Sequence, residues 1–336
     1  MNSAGRSFGS SSMVDWRTEL MTGCWGVRGE CLIDEPLAPL TTWRIGGRAD
    51  LLVRPLDIED VHTLFTFIRH HGVPWQVLGG GSNVLVADKG VRGVVIQLTD
   101  MDYICQVGAG QLKVGAGCRL NHLVTEVVRQ GYAGFEFLAG IPGTVGGAVV
   151  GNAGALSQQI GDCVQSALVA EVTAVERWTW AEFGFGYRSS ALSEKHALLE
   201  VVFKCESNQP ELLHQRLKHA QKHRCQAQAV DGANAGSVFK NPPGRQAWRL
   251  IDQCGLRGKK VGEAQVAQQH TNFIVNNGAA TAEDIIGLMI MVQRTVEEQT
   301  GVVLIPEVHV MGDFTMADGS DLTQQLCWGE RSDGQN

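Results

Sequence analysis

Two glycine clusters constrain this chain more than any other feature. Gly79-Gly80-Gly81-Ser82-Asn83 lies between apolar runs at 73–78 and 84–86. The second cluster reads Gly140-Ile141-Pro142-Gly143-Thr144-Val145-Gly146-Gly147, then Gly151-Asn152-Ala153-Gly154. Glycine reaches positive φ without steric cost and lets backbone approach a ligand closely. Successive amide N–H groups in such a turn form an anion-binding concavity. Ser82 and Asn83 add side-chain donors, and Pro142 fixes one φ within otherwise free backbone. Two such turns, far apart in sequence, suit a pyrophosphate. Each alone is equally consistent with a tight connection in a glycine-rich sheet protein. Neither is a familiar phosphate loop: 79–83 runs into a strand, whereas a GxGxxG fingerprint opens a helix, and no GxxxxGK[ST] occurs.

Around these turns the hydrophobic pattern alternates between periods of two and 3.6. Strands are expected at 49–53, 73–78, 84–86, 94–98, 112–114, 167–172 and 197–204. One helix, 57–70, carries Ile58, Val61, Leu64, Phe65 and Ile68 at helical spacing, and another carries Leu120, Leu123, Val124, Val127 and Val128. Beyond Pro210, residues 211–228 read as a polar connector helix. Strands at 238–240, 264–266 and 273–275 and a helix at 247–254 precede a long helix that Thr281 caps, with Asp284 at its third position and Gly301 at its end. A last strand is expected at 308–310. Residues 1–35 show no sustained periodicity and read as a loose arm, and 315–336 read as a polar tail.

Length and composition exclude several classes. A chain of 336 residues accommodates roughly two domains. No apolar run approaches the ~20 residues of a membrane span, and the first twelve residues lack the apolar core of a secretory signal, so a cytoplasmic protein is expected. The nine cysteines are odd in number, widely spaced and without a CxxC, which argues against a disulfide framework and a zinc ribbon. A net charge of −7 with no long basic run argues against nucleic acid as main partner. His219 and His223 stand four apart on the connector helix, but no third ligand is evident and no metal centre is expected.

Taken in order, several motifs resemble one family. They are Thr42-Trp43-Arg44-Ile45-Gly46-Gly47, the stretch Leu78-Gly79-Gly80-Gly81-Ser82-Asn83, the second glycine cluster, and Phe185-Gly186-Tyr187-Arg188-Ser189-Ser190. They continue with Gly236-Ser237-Val238-Phe239-Lys240-Asn241-Pro242, Leu250-Ile251-Asp252, Gly255-Leu256-Arg257-Gly258, His270-Thr271-Asn272-Phe273-Ile274-Val275-Asn276 and Pro306-Glu307-Val308. Together they span about 36–312 and resemble the UDP-N-acetylenolpyruvoylglucosamine reductases, in the shorter type that lacks an extra substrate-covering loop. The resemblance implies an α/β (α+β) fold: a two-part FAD-binding domain of the vanillyl-alcohol-oxidase type at 36–208, divided near 105, and a smaller α/β substrate domain at 209–314. It further implies a monomer with non-covalent FAD, NADPH as co-substrate, and reduction of an enolpyruvyl ether to a lactyl ether on a nucleotide sugar, UDP-N-acetylglucosamine enolpyruvate, in peptidoglycan precursor synthesis.

The same resemblance assigns residues. Ile45, Gly46, Gly47, Leu78, Gly79, Gly80, Gly81, Ser82, Asn83, Gly140, Ile141, Pro142, Gly143, Thr144, Gly146, Gly147, Asn152, Ala153 and Gly154 are expected at FAD. Arg188, Ser237 and Glu307 match the catalytic positions. A guanidinium offers a planar, permanently charged fork to a carboxylate or enolate. A serine hydroxyl becomes a useful proton donor when desolvated against a basic carbanion. A glutamate beside a substrate carboxylate calls for a raised pKa or a bridging cation. Tyr187, Lys240 and Asn241 are expected at the nucleotide sugar. The chain departs from the family pattern at Gly151, where methionine is usual, at Glu263, where glycine is usual and the side chain has to face solvent, and in 224–229, which keeps Arg224 and Gln228 but lacks a threonine and a proline. A flavin oxidase of the same fold, or a nucleotide-sugar sensor, are the alternative readings.

Overall fold

The computed structural model describes residues 16–328 apart from 24, 228, 229 and 317, without the side chains of 223, 225 and 227. Helix α1 (Trp16–Met21) leads into the strand Glu30–Pro36, which pairs antiparallel with Arg48–Arg54. The expected loose arm therefore does not extend to residue 35: Cys31↔Val53 and Ile33↔Leu51 are in register, and Leu20 is buried against α2 (Ile58–His71). The strand escapes sequence reading because Glu30, Asp34 and Glu35 break its apolar run.

The first sheet has the order 30–36, 48–54, 91–96, 75–77, with its last three strands parallel. Helix α2 covers one of its faces. Asp57 caps that helix by accepting a hydrogen bond from Asp60 N, and Gly72 ends it at φ 61°. The second sheet is antiparallel throughout, in the order Val175–Thr179, Val164–Ala170, Ala197–Lys204, Gln111–Gly115, Ile104–Gly108. Helix α3 (Leu120–Arg129) and the short α4 (Val145–Val150), which lies inside the second glycine cluster, bury Leu123, Val127, Val145 and Val149 against it.

Helix α5 (Pro210–Ala227) leads to a third unit, in which α6 (Ala247–Gln253) and α7 (Ala282–Thr300) pack on a three-stranded sheet of Lys260–Val261, Ala264–Val266 and Ile274–Asn276. The Thr281–Asp284 capping box and the left-handed Gly301 bound α7. No strand forms at 238–240, where an isolated bridge joins Phe239 to Pro306. Glu263 occupies a two-residue hairpin turn with Gly262 and is exposed.

Two of the connections that hold this unit to the rest bear on the site. Trp43, fully buried, donates its indole N–H to Ile274 O at 2.8 Å, and Asn276 Nδ2 returns a bond to Trp43 O at 3.0 Å. The strand His309–Met311 then pairs in parallel with Val84–Val86, His309 opposite Val84. That pairing sets the chain around Glu307 beside the end of the first glycine turn. Among the described residues, no helix is long and apolar enough to cross a membrane.

Candidate active site

The two glycine turns meet. A Cβ on Gly80 would stand 2.7 Å from Gly143 Cα, one on Gly143 (φ 110°) would stand 2.7 Å from Ser82 Oγ, and Ser82 Oγ donates to Pro142 O at 3.2 Å. The sequence leaves open whether each turn serves a ligand or is a plain tight connection; in the fold they abut and form one wall of a cavity of about 1080 Å³. Leu78 to Asn83, Ile141 to Thr144, Gly146, Gly147, Ala153 and Gly154 all line it. At Gly147 and Gly151 the missing Cβ would face almost open space, its nearest neighbours 3.8 and 3.6 Å away. Bare backbone is thus presented to whatever fills the cavity, a cradle suited to a large phosphate-bearing cofactor.

Five residues expected at the cofactor lie behind the wall or outside it. Ile45 is buried, and side chains at Gly46 and Gly47 would collide with Val86 and with the backbone of Asp88 and Gly90. This segment braces the first turn from behind, with Thr42 N bonding Gly81 O at 2.9 Å. Gly140 (φ 74°) sits beneath the Arg224 side chain and donates to Asn121 Oδ1. Asn152 is fully buried at φ 43°. Its Nδ2 donates to Gln159 Oε1 and Gly186 O at 2.8 and 2.7 Å, and its Oδ1 accepts from Gly161 N at 3.0 Å.

Those bonds position Arg188. Gly186 and Ser189 bond each other across a tight turn with Tyr187 and Arg188 at its tip. Asn152 anchors the start of this turn, and Ser190 Oγ, donating to Val150 O at 2.7 Å, anchors its end. Arg188 itself is held at φ 53°, a strained value for a residue with a side chain. Its Nε donates to Glu307 Oε1 at 2.8 Å and its Nη2 to Gly154 O at 2.7 Å. A guanidinium carries five N–H groups, so part of the fork stays available to the cavity. Tyr187 lies 54% exposed outside the lining, with the guanidinium 5.5 Å from its ring centre.

Glu307 reaches the cavity because Asn83 holds its chain on both sides: Asn83 Nδ2 donates to Glu307 O and His309 N to Asn83 O, both at 3.1 Å. Burial raises the Glu307 carboxyl above its ordinary range, while Arg188 and the more distant Lys240 pull in the opposite direction. Ser237 lines the cavity, and its hydroxyl makes no hydrogen bond with any described residue. Asn241 lines it as well, but its Oδ1 accepts from Ala247 N at 3.0 Å and so caps α6. Ser237, Asn241 and Gln246 also border a side pocket of about 470 Å³ that extends to Trp248, Arg257 and His270. Lys240 lines neither space.

The cavity also takes in residues that sequence reasoning missed, among them His196, His309 and Leu156. His309 could have been found: it stands two residues beyond Glu307 and so shares a face of an extended chain. Burial and Lys240 lower its pKa, which keeps the imidazole neutral at neutral pH. His219 is exposed, and the His223 side chain and Gln228 lie outside the described residues.

Comparison with known proteins fits this geometry. Residues 49–176 match an FAD binding domain, and 227–311 match the UDP-N-acetylenolpyruvoylglucosamine reductase C-terminal domain. The UDP-N-acetylenolpyruvoylglucosamine reductase of Syntrophotalea carbinolica is 43% identical over 83% of this chain and 94% of its own, and that of Geobacter sulfurreducens 42% identical over 85% and 96%. The chain belongs to the UDP-N-acetylenolpyruvoylglucosamine reductase family. The crystal structure of the family member from Thermus caldophilus is 36% identical and superposes with a TM-score of 0.72, covering 84% of this chain and 99% of that one. Membership in the reductase family makes the protein an FAD-dependent oxidoreductase of peptidoglycan synthesis and bears out the expected α/β (α+β) architecture.

Proposed function

We propose that this enzyme reduces UDP-N-acetylglucosamine enolpyruvate to UDP-N-acetylmuramate with NADPH as electron source. One observation carries the reading: Arg188, Ser237 and Glu307, far apart in sequence and from different parts of the fold, face the one cavity that both glycine turns wall. In this reading 36–208, with the preceding strand, hold FAD through the turns at 79–83, 141–147 and 153–154, and 209–314 supply the substrate side. The bound FAD provides hydride chemistry.

The chain's own residues must then do three things. Arg188 binds the enolpyruvyl carboxylate and the negative charge that grows on it, using the N–H groups that Glu307 and Gly154 leave free. Ser237 gives its hydroxyl proton to the carbon bearing that carboxylate. Its lack of a competing acceptor among the described residues suits a donor whose partner arrives with the substrate. Glu307, with its pKa raised by burial, tolerates a second carboxylate at the same guanidinium and orients it. Asn241 and the adjoining side pocket serve the nucleotide sugar, Lys240 adds positive potential behind Glu307, and Tyr187 covers the mouth. The expected monomer and cytoplasmic location belong to the same proposal.

Replacing Ser237 by alanine tests the assignment. Substrate is expected to bind the variant as it binds wild type, and turnover to fall roughly 100-fold or more, the size of a general-acid effect. Equal turnover would remove Ser237 from the mechanism.

A further inference from the structure

A second group of chemically able side chains lies away from the three residues above. Asp102 follows the exit of the first sheet, Cys118 stands two residues before α3, and His122 lies in the first turn of that helix. Cys118 Sγ is 3.9 Å from His122 Nδ1, which is 3.5 Å from Asp102 Oδ1. All three ligand atoms lie within 4.8 Å of one another. That spacing suits a single ion bonded at about 2.0–2.3 Å to sulfur, nitrogen and oxygen. The side chains of His122 and Asp102 are 55% and 40% exposed while Cys118 is fully buried, so an ion would reach sulfur from the side of the two exposed ligands.

A cysteine, histidine and aspartate together also resemble a nucleophile set. Burial argues against that, since Cys118 presents no surface and its Sγ is 3.6 Å from Arg119 O. A bare ion needs far less room than a substrate carbon.

We propose that Asp102, Cys118 and His122 form a zinc site. The donor set combines thiolate, imidazole and carboxylate, a mixture that favours Zn²⁺ over the oxygen-seeking Mg²⁺ and Ca²⁺. Binding exchanges the Cys118 S–H proton, released to solvent, for a sulfur–zinc bond. His122 gives a lone pair of Nδ1, and Asp102 gives one of a carboxylate oxygen. The site lies at a seam between the two parts of the FAD-binding region. A Cβ on Gly117 would stand 1.7 Å from Leu98 O, and Leu98, Thr99, Ala116 and Gly117 all line the main cavity. Zinc would therefore clip the stretch from 97 to 103 onto the start of α3 directly behind the cavity wall.

The test uses full-length, flavin-loaded protein without an affinity tag. Zinc chloride is titrated in competition with a chromogenic chelator, bound metal is counted by mass spectrometry, and Tm is measured with and without zinc. The expected results are one zinc per chain, a zinc-dependent rise in Tm, and roughly 100-fold or greater weakening in both C118S and H122A. C254S, altered at the end of α6, should bind as wild type. His122 is a surface residue, so H122A keeps the test valid even if C118S folds poorly. No bound zinc in wild type, unchanged affinity in H122A, or an equal loss in C254S would each overturn the proposal.

Discussion

Gly80→Ala probes the contact on which the cavity depends. Gly80 is outside the left-handed region, so alanine fits its backbone, and the whole effect comes from one added methyl group. That methyl would meet Gly143 Cα at 2.7 Å, Gly143 C at 3.1 Å and Thr144 N at 3.3 Å, where ordinary contact begins near 3.4 Å. All three neighbours are backbone, so no side chain can swing aside, and the turns must part by about 0.7 Å at the closest point. Overpacking of this kind costs about 1–3 kcal/mol. If the free protein relieves the overlap by opening the turns, FAD must close them again, which weakens its binding by about 5- to 150-fold. Titrating apo protein with FAD, followed by flavin fluorescence, measures this, and Tm should fall by several degrees. Gly287→Ala is the control: it lies within α7, away from the cavity, and its Cβ would have only Val261 Cγ1 nearby, at 3.4 Å. Wild-type FAD affinity and Tm in Gly80→Ala would refute the meeting of the turns as the cofactor cradle.

Two further predictions follow from the residues around Arg188. Asn152→Ala leaves the Gly161 amide and the Gly186 carbonyl without their buried partner and places alanine at φ 43°, for a loss of roughly 3 kcal/mol in denaturant unfolding. It should also lower turnover, because the turn carrying Arg188 loses its anchor. Burial raises the Glu307 pKa in the fold, so the folded state holds that proton more tightly than the unfolded chain does. Its contribution is complete below the unfolded value near 4.5 and declines as pH rises towards the raised folded value. A Glu307→Gln variant should show a flatter dependence of Tm on pH across that window, and parallel curves would contradict the shift.

Much of this was legible in the sequence, for identifiable reasons. Helix α7 announces itself through Thr281, Asp284 and Gly301, because capping is local chemistry. The glycine turns announce a special backbone conformation, yet their contact with each other depends on tertiary geometry and has no local signature. The strand Glu30–Pro36 is hidden by the charged residues Glu30, Asp34 and Glu35 that interrupt it. Asn152, Gly46 and Gly47 belong to motifs that point to the cofactor, and the fold gives them supporting positions behind the cavity wall. A motif marks which residues matter to a site without distinguishing those that touch a ligand from those that hold its neighbours. Lys240 and Asn241 show the same limit. Adjacent in sequence, they diverge in the structure: Asn241 turns to the cavity and the cap of α6, and Lys240 stays outside the lining.

The most direct test of the central claim is an anaerobic absorbance cycle on purified protein. The account predicts a bound flavin spectrum that NADPH bleaches and that UDP-N-acetylglucosamine enolpyruvate then restores, with UDP-N-acetylmuramate formed in equal amount. Folded protein without flavin, or reduced flavin that the enolpyruvyl nucleotide sugar fails to reoxidise, would contradict it.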